Sequence, residues 1–206
     1  MYKEYALENI DWVISVSGTV YGSSKISAEI KAASITIQSL DEDKAVLDGQ
    51  KDSAKTLTGP VLEIGTGIDF DVTLSNLTIQ NGRARMGGGI DSCGTGTLTL
   101  QNCIVQNNEA VTVVDPTING NSNGGGIRVT YGKLKLIGTT VQENHAEYNA
   151  GGIFVNNGAT LEIDENTLIT KNTSDYTAGG LCIGIDSYFE MSGGKITENS
   201  ITGVDV

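Results

Sequence analysis

Glu63, Asp91 and Arg128 are the residues here whose types and spacing suit chemistry. Each is the middle residue of a short, largely apolar triplet: Leu62-Glu63-Ile64, Ile90-Asp91-Ser92 and Ile127-Arg128-Val129. Two more triplets follow, Ile153-Phe154-Val155 and Leu181-Cys182-Ile183. If the triplets stack, their middle residues form one exposed column from Glu63 through Asp91, Arg128 and Phe154 to Cys182. Two carboxylates beside a guanidinium can serve as acid and base, or hold calcium. Phe154 would then contact the ligand. The competing reading is surface ion pairing, which adjacent acidic and basic residues form far more often than they form a catalytic site.

Other candidates are weaker. Gln80, Gln106 and Gln142 each follow an apolar residue at matching places and would form an outward amide column able to meet sugar hydroxyls. The single histidine, His145, lies just after a strand and reads as structural or solvated. Acidic residues at Asp41-Glu42-Asp43, Asp69, Asp71, Asp164-Glu165 and Asp175 make calcium the possible ion, but no EF-hand or Gly-Gly-x-Gly-x-Asp spacing occurs, and no resident metal or cofactor is expected. The glycines at Gly124 to Gly126 precede a strand and not a helix, which removes the phosphate-binding reading.

The elements that position these residues are repeats. A glycine phrase occurs four times, as Gly87-Gly88-Gly89-Ile90, Gly124-Gly125-Gly126-Ile127, Ala150-Gly151-Gly152-Ile153 and Ala178-Gly179-Gly180-Leu181. Its third-place glycines stand 37, 26 and 28 residues apart. An apolar-x-x-Asn phrase keeps step with it, ending at Asn108, Asn144, Asn172 and Asn199, with Gly82 in that place one turn earlier. Two phrases in step mark a structural repeat. Between them lie triplets such as Leu98-Thr99-Leu100 and Leu134-Lys135-Leu136, whose period of two marks strands with one buried face. So short a repeat leaves no room for a crossover helix. The pattern predicts an all-β chain, a right-handed parallel β-helix with three strands per turn. Asn would occupy one corner, and the glycine phrase another, where tight bending favours positive φ.

One domain, 1–206, is expected: a short amphipathic N-terminal cap around Tyr2 to Ile10 and irregular first turns through residue 60, then regular turns over 61–206. The early strands read as Val13 to Val16, Ile26 to Ile30, Ile35 to Ile37 and Val46 to Gly49. The longest repeat interval places a loop insertion at 110–123. Cys103 reads as a core residue, and Cys93 and Cys182 give no metal-ligand spacing.

Composition excludes some functions. Thirteen basic against 25 acidic residues leave a net charge of −12, which disfavours nucleic acid. No apolar run reaches the roughly 18 residues of a membrane-spanning helix. The first residues lack a secretory signal's layout. The chain also stops in mid-repeat, so it reads as part of a longer protein with signal and anchor elsewhere.

The paired phrases resemble the repeats of polymorphic outer membrane proteins, whose signature is Gly-Gly-Ala-Ile with Phe-x-x-Asn, within the wider pectin-lyase-like class. The likeness spans Leu62 to Asn199. Here Gly or an aliphatic residue stands for Ala, and Val or Ile for Phe. The resemblance implies a bacterial extracellular or cell-surface module, an adhesin or passenger domain, whose partner is a host or neighbouring-cell protein or glycan. The alternative it leaves open is a carbohydrate-active β-helix, a lyase or glycoside hydrolase working on the first-strand face. Against that, the clusters Asn-Thr-Asp, Asp-Asp, Gly-His-Gly and Arg-Ile-Lys of the galacturonide hydrolases are missing.

Overall fold

The computed structural model describes residues 10–52, 56–112 and 122–203, and among them there are strands and turns but no helix. The strands stack into a parallel β-helix with three main faces. The first face runs Ser24–Ile26, Leu62–Ile64, Ile90–Ser92, Ile127–Thr130, Ile153–Asn156 and Leu181–Ile183. The second has seven strands, from Asp11–Val16 and Ser34–Ser39 down to Tyr188–Met191. The third also has seven, from Thr19–Tyr21 to Lys195–Thr197.

Alternation within each triplet is what fills the interior. Leu98 and Leu100 point inward while Thr97, Thr99 and Gln101 face out. Parallel pairing puts Leu98 over Leu134 and Leu134 over Leu161, so inward residues form apolar stacks along the axis. Ile79, Val105, Val141 and Ile169 make the matching stack of the third face, all fully buried. Each such side chain contributes about 1.5–3 kcal/mol. Cys103 is buried among them, as expected, and its thiol lies 3.4 Å from the Leu74 carbonyl.

A fourth, narrow sheet was not anticipated. Its strands have two residues each: Arg83–Ala84, Glu109–Ala110, His145–Ala146, Thr173–Ser174 and Ser200–Ile201. They follow the asparagine corner, where Asn108, Asn144 and Asn172 are buried. Asn108 Nδ2 donates to Asn144 Oδ1 at 3.0 Å, Asn144 Nδ2 to Asn172 Oδ1 at 2.9 Å, and Asn172 Nδ2 to Asn199 Oδ1 at 2.9 Å. Each amide also donates to a strand carbonyl of the preceding coil: Ile79, Val105 and Val141. One coil before Asn108, Gly82 takes the asparagine's place, its N–H donating to Asn108 Oδ1.

The glycine phrase works differently from the expectation. Only its first place bends to positive φ, at Gly87, Gly124 and Ala150. The second and third glycines are required by contact: a Cβ on Gly88 would meet the carbonyl oxygens of Glu109 and Gly125, and one on Gly89 would strike Gly126 O and the Asn108 amide. The positive φ of the asparagine corner falls instead on the residue before each asparagine, Asn107, Glu143, Lys171 and Glu198, at 54° to 55°.

Upstream of residue 60 the strands keep the same registers, with Trp12 over Ile35 and Ile35 over Val72. The strand expected over Ile26 to Ile30 ends at Ile26, because the chain then turns, Ile30 N donating to Ser27 O. The amphipathic cap lies outside the described residues except for Ile10. Most of the loop insertion does too; Ala110 belongs to the fourth sheet, and Asn123 bridges Met86 and Asn149. In the last coil, Phe189, Met191 and Ile196 stand in register with buried Leu161, Ile163 and Ile169 yet are about 40% exposed.

Candidate functional site

The first-face registers place Lys25 beside Glu63, Glu63 beside Asp91, Asp91 beside Arg128, Arg128 beside Phe154 and Phe154 beside Cys182. The column read from the triplets therefore exists, extended upward by Lys25. Lys25 was hidden because Ser24 is not an apolar flank.

Within the column the charges pair off. Arg128 Nε donates to Asp91 Oδ1 at 2.6 Å and its Nη2 donates to Asp91 Oδ2 at 3.0 Å, a two-point clamp. The same Nη2 lies 3.0 Å from Cys93 Sγ. Lys25 Nζ donates to Glu63 Oε1 at 2.6 Å. Burial pushes the Asp91 carboxyl above its ordinary range, outweighing the pull of Arg128. Arg128 is itself held further on the charged side: Asp91's hydrogen bond and charge overcome the opposing effect of burial. Burial likewise raises the Cys93 thiol, with Asp91 adding to it. A carboxylate gripped by a guanidinium has its proton-accepting oxygens occupied. Phe154 is 9% exposed, so little of its ring faces a ligand.

Comparison with protein-family models, with curated proteins and with solved structures returns no match. The geometry alone carries the functional argument.

Gln80, Gln106 and Gln142 line up on the third face, half-buried and bonded to one another. Gln142 Nε2 donates to Gln106 Oε1 and Gln106 Nε2 to Gln80 Oε1, both at 3.0 Å, and Gln80 Nε2 donates to Asp48 Oδ2 at 2.9 Å. Among the turn carboxylates, Asp41 and Asp164 meet N–H and O–H donors. Asp41 accepts from Ser17 Oγ and Gly18 N, which lower its pKa. Asp164 accepts from Gly138 N, Asn166 N and Thr167 Oγ1. Oxygens already facing donors are poorly disposed to a cation, and no cluster of three or more His, Cys, Asp or Glu suited to a metal occurs among the described residues.

On the fourth sheet Glu109 pairs with Arg83 and with Lys51, and His145 lies 3.0 Å from Thr173 Oγ1 and 3.6 Å from Asp175 Oδ2. These are links between coils, invisible in the sequence because two-residue strands leave no periodicity.

Beside the upper end of the column the surface is concave. One depression of about 180 Å³ lies against Lys25, Glu63, Thr66 and Cys93, and a second of about 340 Å³ against Lys31, Asp69 and Phe70. Ala28 is a lining residue of both.

Proposed function

We propose that this chain is a non-enzymatic, surface-exposed module, a stiff β-helical rod that presents regular faces to a neighbouring-cell or host protein or glycan. The observation that carries the reading is the pairing of outward groups between coils. Asp91 is bound by Arg128, Glu63 by Lys25, and each Gln by the next, so the ladders lock the coils together and leave the column without a free acid and base. The glycine and asparagine phrases support the finer reading, an adhesin or passenger domain like those of polymorphic outer membrane proteins in the pectin-lyase-like class, with signal and anchor in other parts of the parent protein.

Antibodies to the module should label intact cells that carry the parent protein, and external protease should remove the label; a signal only after permeabilisation would sink the reading. A polysaccharide depolymerisation screen, with and without Ca²⁺, should be silent. The second reading, a carbohydrate-active face, is favoured by the concave surface beside Glu63. Turnover that disappears in a Glu63→Ala/Asp91→Ala/Arg128→Ala variant would establish it.

A further inference from the structure

Arg83 occupies an outward place and is nevertheless enclosed. It begins the outward column of the fourth sheet, with Glu109 and then His145 beside it on the following coils. Glu109 and His145 are half-buried there, whereas the Arg83 side chain is 6% exposed. The segment after Gly49 accounts for the difference. Lys51 N donates to the Asn81 carbonyl, Thr58 N and Gly59 N donate to the Arg83 carbonyl, and Thr58 Oγ1 accepts from Arg83 N. That segment is thereby held along the first strand of the sheet, and Arg83 loses the solvent that its column neighbours keep.

The enclosed guanidinium is only partly satisfied. Its Nη2 pairs with Glu109 Oε2, while Nε and Nη1 are buried without a hydrogen-bond partner. Among the described residues these are the only buried side-chain nitrogens or oxygens left so. A buried donor without an acceptor is costly, and more so when it is charged. Charge is unbalanced at the same place. Lys51 Nζ reaches Glu109 Oε1 at 3.0 Å, so two cations share one carboxylate, and the carboxylate of the adjoining Asp52 is turned to the Thr56 N–H.

Both deficits call for the same ligand. Nε and Nη1 only donate, so the group that completes them must accept. Water accepts, but it brings protons of its own to a place where the orphaned atoms include no acceptor. An anion accepts without donating. Two cations against one carboxylate leave a single positive charge over, which a monovalent anion balances, and the enclosure of Arg83 shuts out a large one. We propose that a small monovalent anion, a halide such as chloride, is held against Arg83 Nε and Nη1 and completes the group of Arg83, Glu109 and Lys51. Such an ion ties the segment that carries Lys51 to the fourth sheet. The assignment is independent of the display reading.

The test uses the full chain. Its urea midpoint is followed by circular dichroism while sodium gluconate is replaced by sodium chloride or sodium bromide at constant ionic strength. Halide should raise the midpoint, because an ion bound only by the folded chain adds to its stability. Arg83→Gln should abolish the rise, and Lys51→Gln should weaken the apparent halide affinity about tenfold. Lys133→Gln, which removes a second-face cation from its bridge to Glu162, should leave the rise intact. Crystals grown in bromide should show an anomalous peak against Arg83 Nε and Nη1, a readout that does not need the Arg83 variant to fold. A midpoint indifferent to halide, an equal rise in Arg83→Gln, or an ordered water in place of the bromide peak would overturn the assignment.

Discussion

Replacing Asn144 with Ala tests whether the buried amide corner holds the coils together. Asn144 is 1% exposed and makes four side-chain hydrogen bonds. It accepts from the Asn108 N–H and from Asn108 Nδ2, and donates to the Val105 carbonyl and to Asn172 Oδ1. At about 1 kcal/mol per bond the loss is about 4 kcal/mol, and stranding a buried N–H and a buried carbonyl without water raises it further. For a domain of this size that lowers the melting temperature by roughly 10 °C. Gln106→Ala is the matched control. It also breaks two inter-coil amide bonds, but on a half-exposed face where water replaces them, so its cost stays under about 1 kcal/mol. Urea denaturation followed by circular dichroism measures both at a common slope. Equal shifts in the two midpoints would refute the argument that burial, and not bond count, gives the asparagine ladder its strength.

Val141→Asp or Ile169→Asp places an unpaired charge in the interior stack and should unfold the repeat, whereas Glu162→Ala should cost under about 1 kcal/mol despite its 2.6 Å bridge to Lys133, since both partners are substantially exposed; thermal melts of the purified variants separate the two classes. Arg128→Ala leaves Asp91 partly buried without its clamp and should cost about 2–3 kcal/mol in chemical denaturation, and Asp91→Leu/Arg128→Leu should recover most of that. Acid should weaken the fold through Asp48 and Asp164. Burial pushes each carboxyl upward, but hydrogen bonds from Gln80, Gln50 N–H and Asn81 to Asp48, and from Thr167, Gly138 N–H and Asn166 N–H to Asp164, bring both below 3.8. Their stabilisation is present above that ordinary value and is lost as pH falls through the lower folded values, so Asp48→Asn and Asp164→Asn should flatten the acid limb of a stability–pH curve.

The regular coils were legible because two kinds of residue tolerate no replacement at their places. Second- and third-place glycines such as Gly88 and Gly89 leave no room for a Cβ, and an inward residue such as Leu100 has a carbon stack above and below it. Such positions repeat visibly. The charged column was legible for the same reason, since Glu63, Asp91 and Arg128 each follow an inward apolar residue, Leu62, Ile90 and Ile127. What was not legible depends on contacts without a sequence period. Lys25 joins the column although Ser24 is polar, Cys93 meets Arg128 from beyond its strand, and His145 finds Thr173 through a two-residue strand. The glycine corner was misread for a related reason: glycine's absent side chain and its backbone freedom look alike in a sequence, and only the stacked neighbour tells them apart.

The two amide ladders run in opposite senses. Each asparagine hands its proton to the coil that follows, whereas each glutamine hands its proton to the coil before, until Gln80 reaches Asp48. A coil duplicated in tandem would enter both ladders with every amide already facing the right way, and Asp48 would still end the glutamine chain. Length is therefore the property of this rod that gene duplication can change most freely, while its polarity is inherited by every copy.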